Sequence, residues 1–189
     1  MRHPWMEAYS QELSSQRIAT LRFQFPYMEQ RSRRPDPPAL CHATVRAAVE
    51  EAARLLPRVP LVAGGRSFGG RMTSQAQAKR PLPAVQALAF VGFPLHPAAR
   101  PSTERAHHLA DVRVPMLFLQ GTRDELAHLD LLQPLIEGLG ARATLKLVSD
   151  ANHSFHAPAR SGHSDRQIIV ELAQAFAAWL EPLVSINRE

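Results

Sequence analysis

Gly65-Arg66-Ser67-Phe68-Gly69 is the stretch of this sequence whose residue types and spacing point most directly at chemistry. It follows a short apolar run and precedes a helical pattern. In that setting a G-x-S-x-G serine sits on a sharp strand-to-helix turn with its hydroxyl projecting outward. The flanking glycines remove Cβ atoms that would collide in so tight a turn. The following helix aims its first amides at the site, and the N–H of Phe68 is placed to donate to an oxyanion developing on an acyl carbonyl. A serine hydroxyl attacks only when a base takes its proton, and that base must be held in one orientation. Two candidates follow in chain order. Asp124 closes Leu117-Phe118-Leu119-Gln120-Gly121-Thr122-Arg123-Asp124, an apolar run ending in a glycine turn. His153 closes a second run of the same layout, Leu145 to His153. The chemistry this set predicts is acyl transfer with Ser67 as nucleophile, His153 as base and Asp124 as its orienter, and it calls for no metal or organic cofactor.

Other polar residues fit this chemistry less well. His153, His156 and His163 fall in one irregular stretch without the carboxylate that zinc-enzyme spacings require, so no metal site is expected. Asp111 and Asp150 are alternative orienting acids. His107-His108 reads as a surface pair, and Cys41 as a small apolar filler near a helix start. Arg31, Arg33 and Arg34 could touch an acidic partner, but such a run reads first as a solvated loop. No nucleic acid and no membrane is expected as a partner.

The elements that would position Ser67, Asp124 and His153 alternate between short apolar runs and helical stripes, the pattern of a mainly parallel α/β sheet with helices on both faces. A helix starts at Pro4, with Trp5, Met6, Tyr9 and Leu13 on one face. Ile18–Phe25 reads as a strand ended by Pro26, and a Pro/Arg-rich loop runs from Met28 to Pro38. Val45, Ala48, Val49, Ala52 and Leu56 mark a buried helical stripe. Strands are predicted at Pro60–Gly64, Ala84–Phe93, Pro115–Gln120 and Thr144–Val148. Helices are predicted at Gly69–Lys79 and around Leu129–Leu139, the latter disturbed at Pro134. Ser164 and Gln167 form a capping-box pair opening a last helix, with Ile168, Leu172, Phe176, Trp179 and Leu183 inward. Parallel strands bring their carboxyl ends to one rim, so residues 67, 124 and 153 meet there without being close in sequence.

The chain has 189 residues, 45% of them apolar and 21% charged, enough for one real core and one domain. No run of about 18 apolar residues occurs, so no spanning helix is expected. Met1-Arg2-His3-Pro4-Trp5 lacks the apolar stretch of a secretory signal. A single cysteine excludes an internal disulfide, and the cytoplasm is the expected compartment. The net charge of +5 rests almost wholly on arginine, with lysine only at 79 and 146. Because arginine hardly deprotonates, this also lifts the isoelectric point to about 10.3.

GGRSFGGRM (Gly64–Met72), LFLQGTRD (Leu117–Asp124), HSFH (His153–His156) and the upstream LRFQFPYME (Leu21–Glu29) together resemble small, lid-less α/β-hydrolases near the dienelactone hydrolases. A related domain occurs in a subunit of a eukaryotic chromatin-acetylating complex. The resemblance spans nearly the whole chain. It implies the α/β-hydrolase fold and the same roles for Ser67, Asp124 and His153. Dienelactone hydrolases proper carry cysteine where this chain has Ser67, so their substrate does not transfer. Asn152 stands where relatives often have Asp. The resemblance also implies a strand before the first helix, ending in a His-Gly-rich loop that gives the second oxyanion amide. Here the helix begins almost at Met1. In the family's sheet that strand lies between those corresponding to Ile18–Phe25 and Pro60–Gly64. The expectation is therefore an N-terminally shortened fold with open inner edges, and a native product roughly 20–40 residues longer. The expected function is hydrolysis of a small acyl ester, with Phe93, Pro94 and Leu95 beside Phe68 as walls of an open site. The rival is a catalytically impaired module that acts by binding a partner protein.

Overall fold

The computed structural model describes residues 3–185. Four strands, β1 (Leu61–Arg66), β2 (Val85–Val91), β3 (Met116–Gly121) and β4 (Ala143–Val148), form an all-parallel sheet in the order β1-β2-β3-β4. The helices are α1 (Pro4–Ser15), a single turn α2 (Pro26–Glu29), α3 (Pro38–Leu55), α4 (Phe68–Lys79), α5 (Leu129–Leu139) and α6 (Asp165–Ser185). A 3₁₀ segment covers Glu104–Asp111.

Strand side chains alternate between two apolar layers, as a period of two requires. Leu88, Phe90, Met116 and Phe118 face Cys41, Val45, Met72 and Leu132 of α3, α4 and α5. Ala89, Val91, Leu117 and Leu119 face Tyr9 and Leu13 of α1 and Ile168, Leu172 and Phe176 of α6. Helices thus cover both faces, and the α/β-hydrolase architecture stands as the sequence predicts.

The expected boundaries hold with small shifts. Helix α3 starts earlier than its apolar stripe, at Pro38, with Cys41 fully buried in its opening turns, while Leu56 lies past its end and is exposed. Helix α5 runs through Pro134. The capping box forms as read: the Ser164 N–H donates to Gln167 Oε1 at 2.8 Å, and the Gln167 N–H to Ser164 Oγ at 3.3 Å. By length and mean hydropathy, α6 is long and apolar enough over Asp165–Val184 to cross a membrane, although no unbroken apolar run marks it in the sequence. It is amphipathic, however, and Ile168, Ile169, Leu172, Ala173 and Phe176 are buried.

One predicted element is absent. Ile18–Phe25 forms no strand. A strand exists only by pairing, and this segment has no ladder partner. Between it and β1 lies a cavity of about 450 Å³, lined by residues such as Ile18, Leu21, Val49, Val62 and Leu180. The outer edge of β1 faces this slot, and Leu21 and Phe23 remain exposed beside it.

Candidate active site

Ser67 links β1 to α4 with φ 50° and ψ −120°. A residue with a side chain seldom adopts such angles, and holding it there costs about 1–3 kcal/mol, which the surrounding packing must offset. Close glycine contacts provide that packing: a Cβ on Gly70 would lie 2.7 Å from the Gly65 carbonyl oxygen. The Ser67 N–H donates to Val91 O at 3.0 Å, continuing the β1–β2 ladder past the strand ends. Similar rungs tie Gly92 to Leu119 O at 2.9 Å and Thr122 to Val148 O at 3.0 Å.

The three predicted side chains meet at this rim. Ser67 Oγ lies 2.8 Å from His153 Nε2, and His153 Nδ1 lies 2.8 Å from Asp124 Oδ2. An ionised carboxylate only accepts, so Nδ1–H is the donor and the Nε2 lone pair faces the serine hydroxyl. The set can therefore take a proton from Ser67 Oγ and hold it. The carboxylate of Asp124 is fully buried, while the ring of His153 keeps 15% exposure.

Gln120, which sequence reasoning passed over, completes the chain. Its Nε2 donates to Asp124 Oδ2, and its Oε1 accepts the Phe93 N–H at 2.9 Å. The Leu126 N–H donates to Asp124 Oδ1 at 2.8 Å. The signal was a polar residue closing the otherwise apolar run MLFLQ, where it is 0% exposed. A buried amide needs partners, and these partners fix the acid. Asn152 shapes the histidine loop, its Oδ1 accepting the Ser154 and His156 N–H groups at 2.9 and 3.1 Å. An aspartate would offer the same acceptor, so its replacement leaves the loop intact.

Other expectations need correction. Phe93 and Leu95 are 0% exposed, and Pro94 is buried with them. Phe93 packs with Phe90 and Phe118 at ring separations of 5.3 and 5.7 Å. The chain turns inward after Gly92, so these residues belong to the core and wall no open site. Phe68 does stay near the rim, half-buried, its ring against Phe25 and Tyr27. Its N–H, at the first position of α4, has no acceptor within the helix. His107 is exposed, but His108 is half-buried with Nε2 2.7 Å from Ser74 Oγ, so the two are not a surface pair. Asp150 and Asp111 are exposed and outside the triad. His156 pairs with Asp165 at 2.9 Å. Among the described residues, no group of three or more His, Cys, Asp or Glu side chains could hold a metal ion.

A family model described as an alpha/beta hydrolase domain matches residues 1–181. The chain belongs to that family. Among solved structures, this chain is similar to an alpha-beta serine hydrolase homologue from Coxiella burnetii. The TM-score is 0.72 at 18% identity, covering 95% of this chain and 77% of the other. A serine hydrolase without lid from Xanthomonas campestris gives 0.71 at 23% identity, covering 96% and 74%. A putative alpha/beta hydrolase from Agrobacterium tumefaciens gives 0.71 at 21% identity, covering 100% and 80%. At these identities the likeness speaks for the fold. The arrangement of Ser67, His153 and Asp124 is this chain's own geometry.

Proposed function

We propose that this hydrolase is a serine esterase acting on small acyl esters, of the lid-less type near the dienelactone hydrolases. The observation that carries the reading is the unbroken hydrogen-bond chain from Ser67 Oγ through His153 to a buried Asp124. Ser67 Oγ attacks the ester carbonyl as its proton passes to His153 Nε2, giving a tetrahedral oxyanion that the Phe68 N–H receives. The intermediate collapses, the C–O bond to the alcohol breaks, and His153 returns the proton to the leaving oxygen. Water, deprotonated by the same histidine, then releases the acid and restores Ser67. Asp124 keeps the imidazole in the Nδ1–H tautomer and stabilises its charged form.

One further part belongs to this reading. The slot between Ile18–Leu21 and β1 is lined mainly by apolar residues, faces the unpaired edge of β1 and reaches Gly65, two residues before the nucleophile, so one further strand can pair there. We assign to a strand seated there the second oxyanion amide, so filling the slot should raise the rate by about 100- to 1,000-fold. The same slot also supports the rival reading, a module that docks a partner strand.

The test is labelling by a fluorophosphonate, which reports an activated serine without needing a substrate. Labelling of the wild type that disappears in Ser67→Ala supports the esterase. If a chain carrying an added strand still shows no labelling, the binding module takes its place.

A further inference from the structure

After β2 and Gly92 the chain runs as a buried strap, Phe93 to His96, bonded to the loop that carries Asp124. At one end of the strap the Phe93 N–H donates to Gln120 Oε1, and Gln120 Nε2 donates to Asp124 Oδ2. At the other end stands His96, 0% exposed. Its backbone N–H donates to Leu126 O at 3.0 Å. Its ring Nδ1 lies 3.0 Å from Pro97 O, and its Nε2 lies 3.2 Å from the backbone nitrogen of His128. A carbonyl only accepts and a backbone N–H only donates, so the ring is the Nδ1–H tautomer with its Nε2 lone pair on His128. The exposed ring of His128 packs edge-on against it at 4.7 Å.

These bonds clamp one short turn between Asp124 and His96. The Leu126 N–H donates to Asp124 Oδ1 at 2.8 Å, an acid bonding its own backbone two residues on. The peptide between Leu126 and Ala127 is held from both sides. Its N–H donates to Asp124 O at 3.2 Å, and its carbonyl accepts the His96 N–H. The next N–H, that of His128, goes to the His96 ring. His128 then opens α5, its carbonyl accepting the Leu131 and Leu132 N–H groups at 3.1 and 2.9 Å. The backbone bond at 96 survives any substitution except proline. The ring bond to the His128 N–H is the part of the clamp that depends on which side chain stands there.

At the start of a helix the His128 N–H has no intrahelical acceptor to fall back on. Without the imidazole it is left unpaired, and the turn must move to find water or another acceptor. Asp124 begins that turn and moves with it. We infer that His96 is a positioning residue, whose ring holds the turn from Asp124 to His128 and thereby the direction in which the carboxylate meets His153. This rests on the esterase reading of Ser67, His153 and Asp124. His96 bonds to none of those three side chains and takes no part in proton transfer. The strap thus steadies both carboxylate oxygens, Oδ2 through Gln120 and Oδ1 through Leu126.

The test removes the ring's acceptor and asks whether the loss passes through Asp124. In His96→Phe, kcat for p-nitrophenyl acetate should fall by about 10- to 100-fold with KM within about twofold, the scale of an ångström's misplacement. His96→Gln puts an amide oxygen near the Nε2 position and should bring kcat back to within about threefold of wild type. His96→Asn keeps a donor for Pro97 O but offers nothing to the His128 N–H. It should show the same fall, which keeps the inference open to refutation if the phenylalanine variant does not fold. In an Asp124→Ala background, His96→Phe should slow fluorophosphonate labelling by less than about a further twofold, because the acid it acts through is gone. A second readout needs no activity. The proton that His153 Nδ1 donates to the Asp124 carboxylate gives a proton NMR line far downfield of the amides. That line should shift or vanish in His96→Phe and persist in His96→Gln. Losses that multiply in the double variant, or an unchanged kcat and an unmoved line in folded His96→Phe, overturn the inference. A wild type that neither hydrolyses esters nor labels, yet whose downfield line responds to His96→Phe, would instead sink the esterase reading and leave the positioning role standing.

Discussion

Replacing Asp124 with asparagine probes the site at its most constrained point. Three donors converge on the two carboxylate oxygens: the Leu126 N–H on Oδ1, and His153 Nδ1–H with Gln120 Nε2–H on Oδ2. An amide has one oxygen. If it stays with His153 and Gln120, the new NH₂ faces the Leu126 N–H. If it turns to Leu126, the NH₂ faces Gln120, whose own oxygen is held by the Phe93 N–H and cannot swing round without orphaning it. Either way one buried donor loses its acceptor, at about 1–3 kcal/mol. For a chain of this length that lowers the melting temperature by roughly 2–12 °C. The catalytic cost depends on the orientation. In the first, His153 keeps its tautomer and loses only the charge that stabilises its imidazolium, about 1.5–3 kcal/mol or roughly 10- to 150-fold in kcat. In the second, Nδ1 becomes an acceptor, the ring proton moves to Nε2, and no base faces Ser67; the analogous change in a serine protease costs about 10⁴. Asp124→Asn should therefore lower both p-nitrophenyl acetate turnover and the rate of fluorophosphonate labelling by at least about tenfold and at most about 10⁴. Unchanged rates in a folded Asp124→Asn protein would show that the buried acid does not govern the base.

Two more outcomes follow from the same structure. A Cβ on Gly121 would come within 2.2 Å of the Ala151 carbonyl oxygen, so Gly121→Ala must push β3 from the loop bearing His153 by more than an ångström. Displacement on that scale should cut kcat by about 100-fold, with a stability loss of about 1–3 kcal/mol seen in a thermal melt. Burial first, then Arg71 and His42, push the pKa of His108 down to about 4, against opposition from Asp111. The unfolded chain binds this proton near 6.5 and the folded one only near 4, so His108 favours folding fully above 6.5 and loses that advantage as pH falls from 6.5 to 4. The gap corresponds to roughly 3 kcal/mol, which solvent screening of a half-buried ring reduces to about 1–2 kcal/mol. Urea melts should show that acid loss shrinking in His108→Gln; an identical pH slope would assign it elsewhere.

What could be read from the sequence was whatever depends on local pattern and chain order. The apolar runs at Pro60–Gly64, Ala84–Phe93, Pro115–Gln120 and Thr144–Val148 became β1 to β4; the central β2 and β3, buried nearly throughout, carry the continuous signature of burial on both faces, while edge strand β4 leaves Lys146 and Leu147 exposed. Ser67, Asp124 and His153 could be placed because each closes such a run, and parallel pairing carries run ends to one rim. What pattern could not supply was partnership. Ile18–Phe25 has the composition of a strand, but a ladder needs a neighbour, and the edge of β1 opposite it opens on a cavity. Phe93 and Leu95 looked like site walls from their position after β2, but Gly92, at φ 67°, turns the chain inward and buries them. Gln120 was visible only as a polar letter in an apolar run; its role depends on the Phe93 N–H, 27 residues away.

The open edge and the reacting groups are also mechanically separate. Ser67 is held from the β2 side through Val91 O, Gly92 from the β3 side through Leu119 O, and Thr122 from the β4 side through Val148 O. Each rung points away from the slot, into the paired part of the sheet. Asp124 and His153 likewise rest on β3 and on the loop after β4, at the far edge from the cavity. Filling or emptying the slot therefore leaves the geometry that moves the serine proton in place. What it changes is the surroundings of Gly64 and Gly65, the residues of β1 that lead into the nucleophile turn and line the slot. A strand supplied there should accordingly raise kcat/KM while leaving the factor by which Asp124→Asn lowers it unchanged.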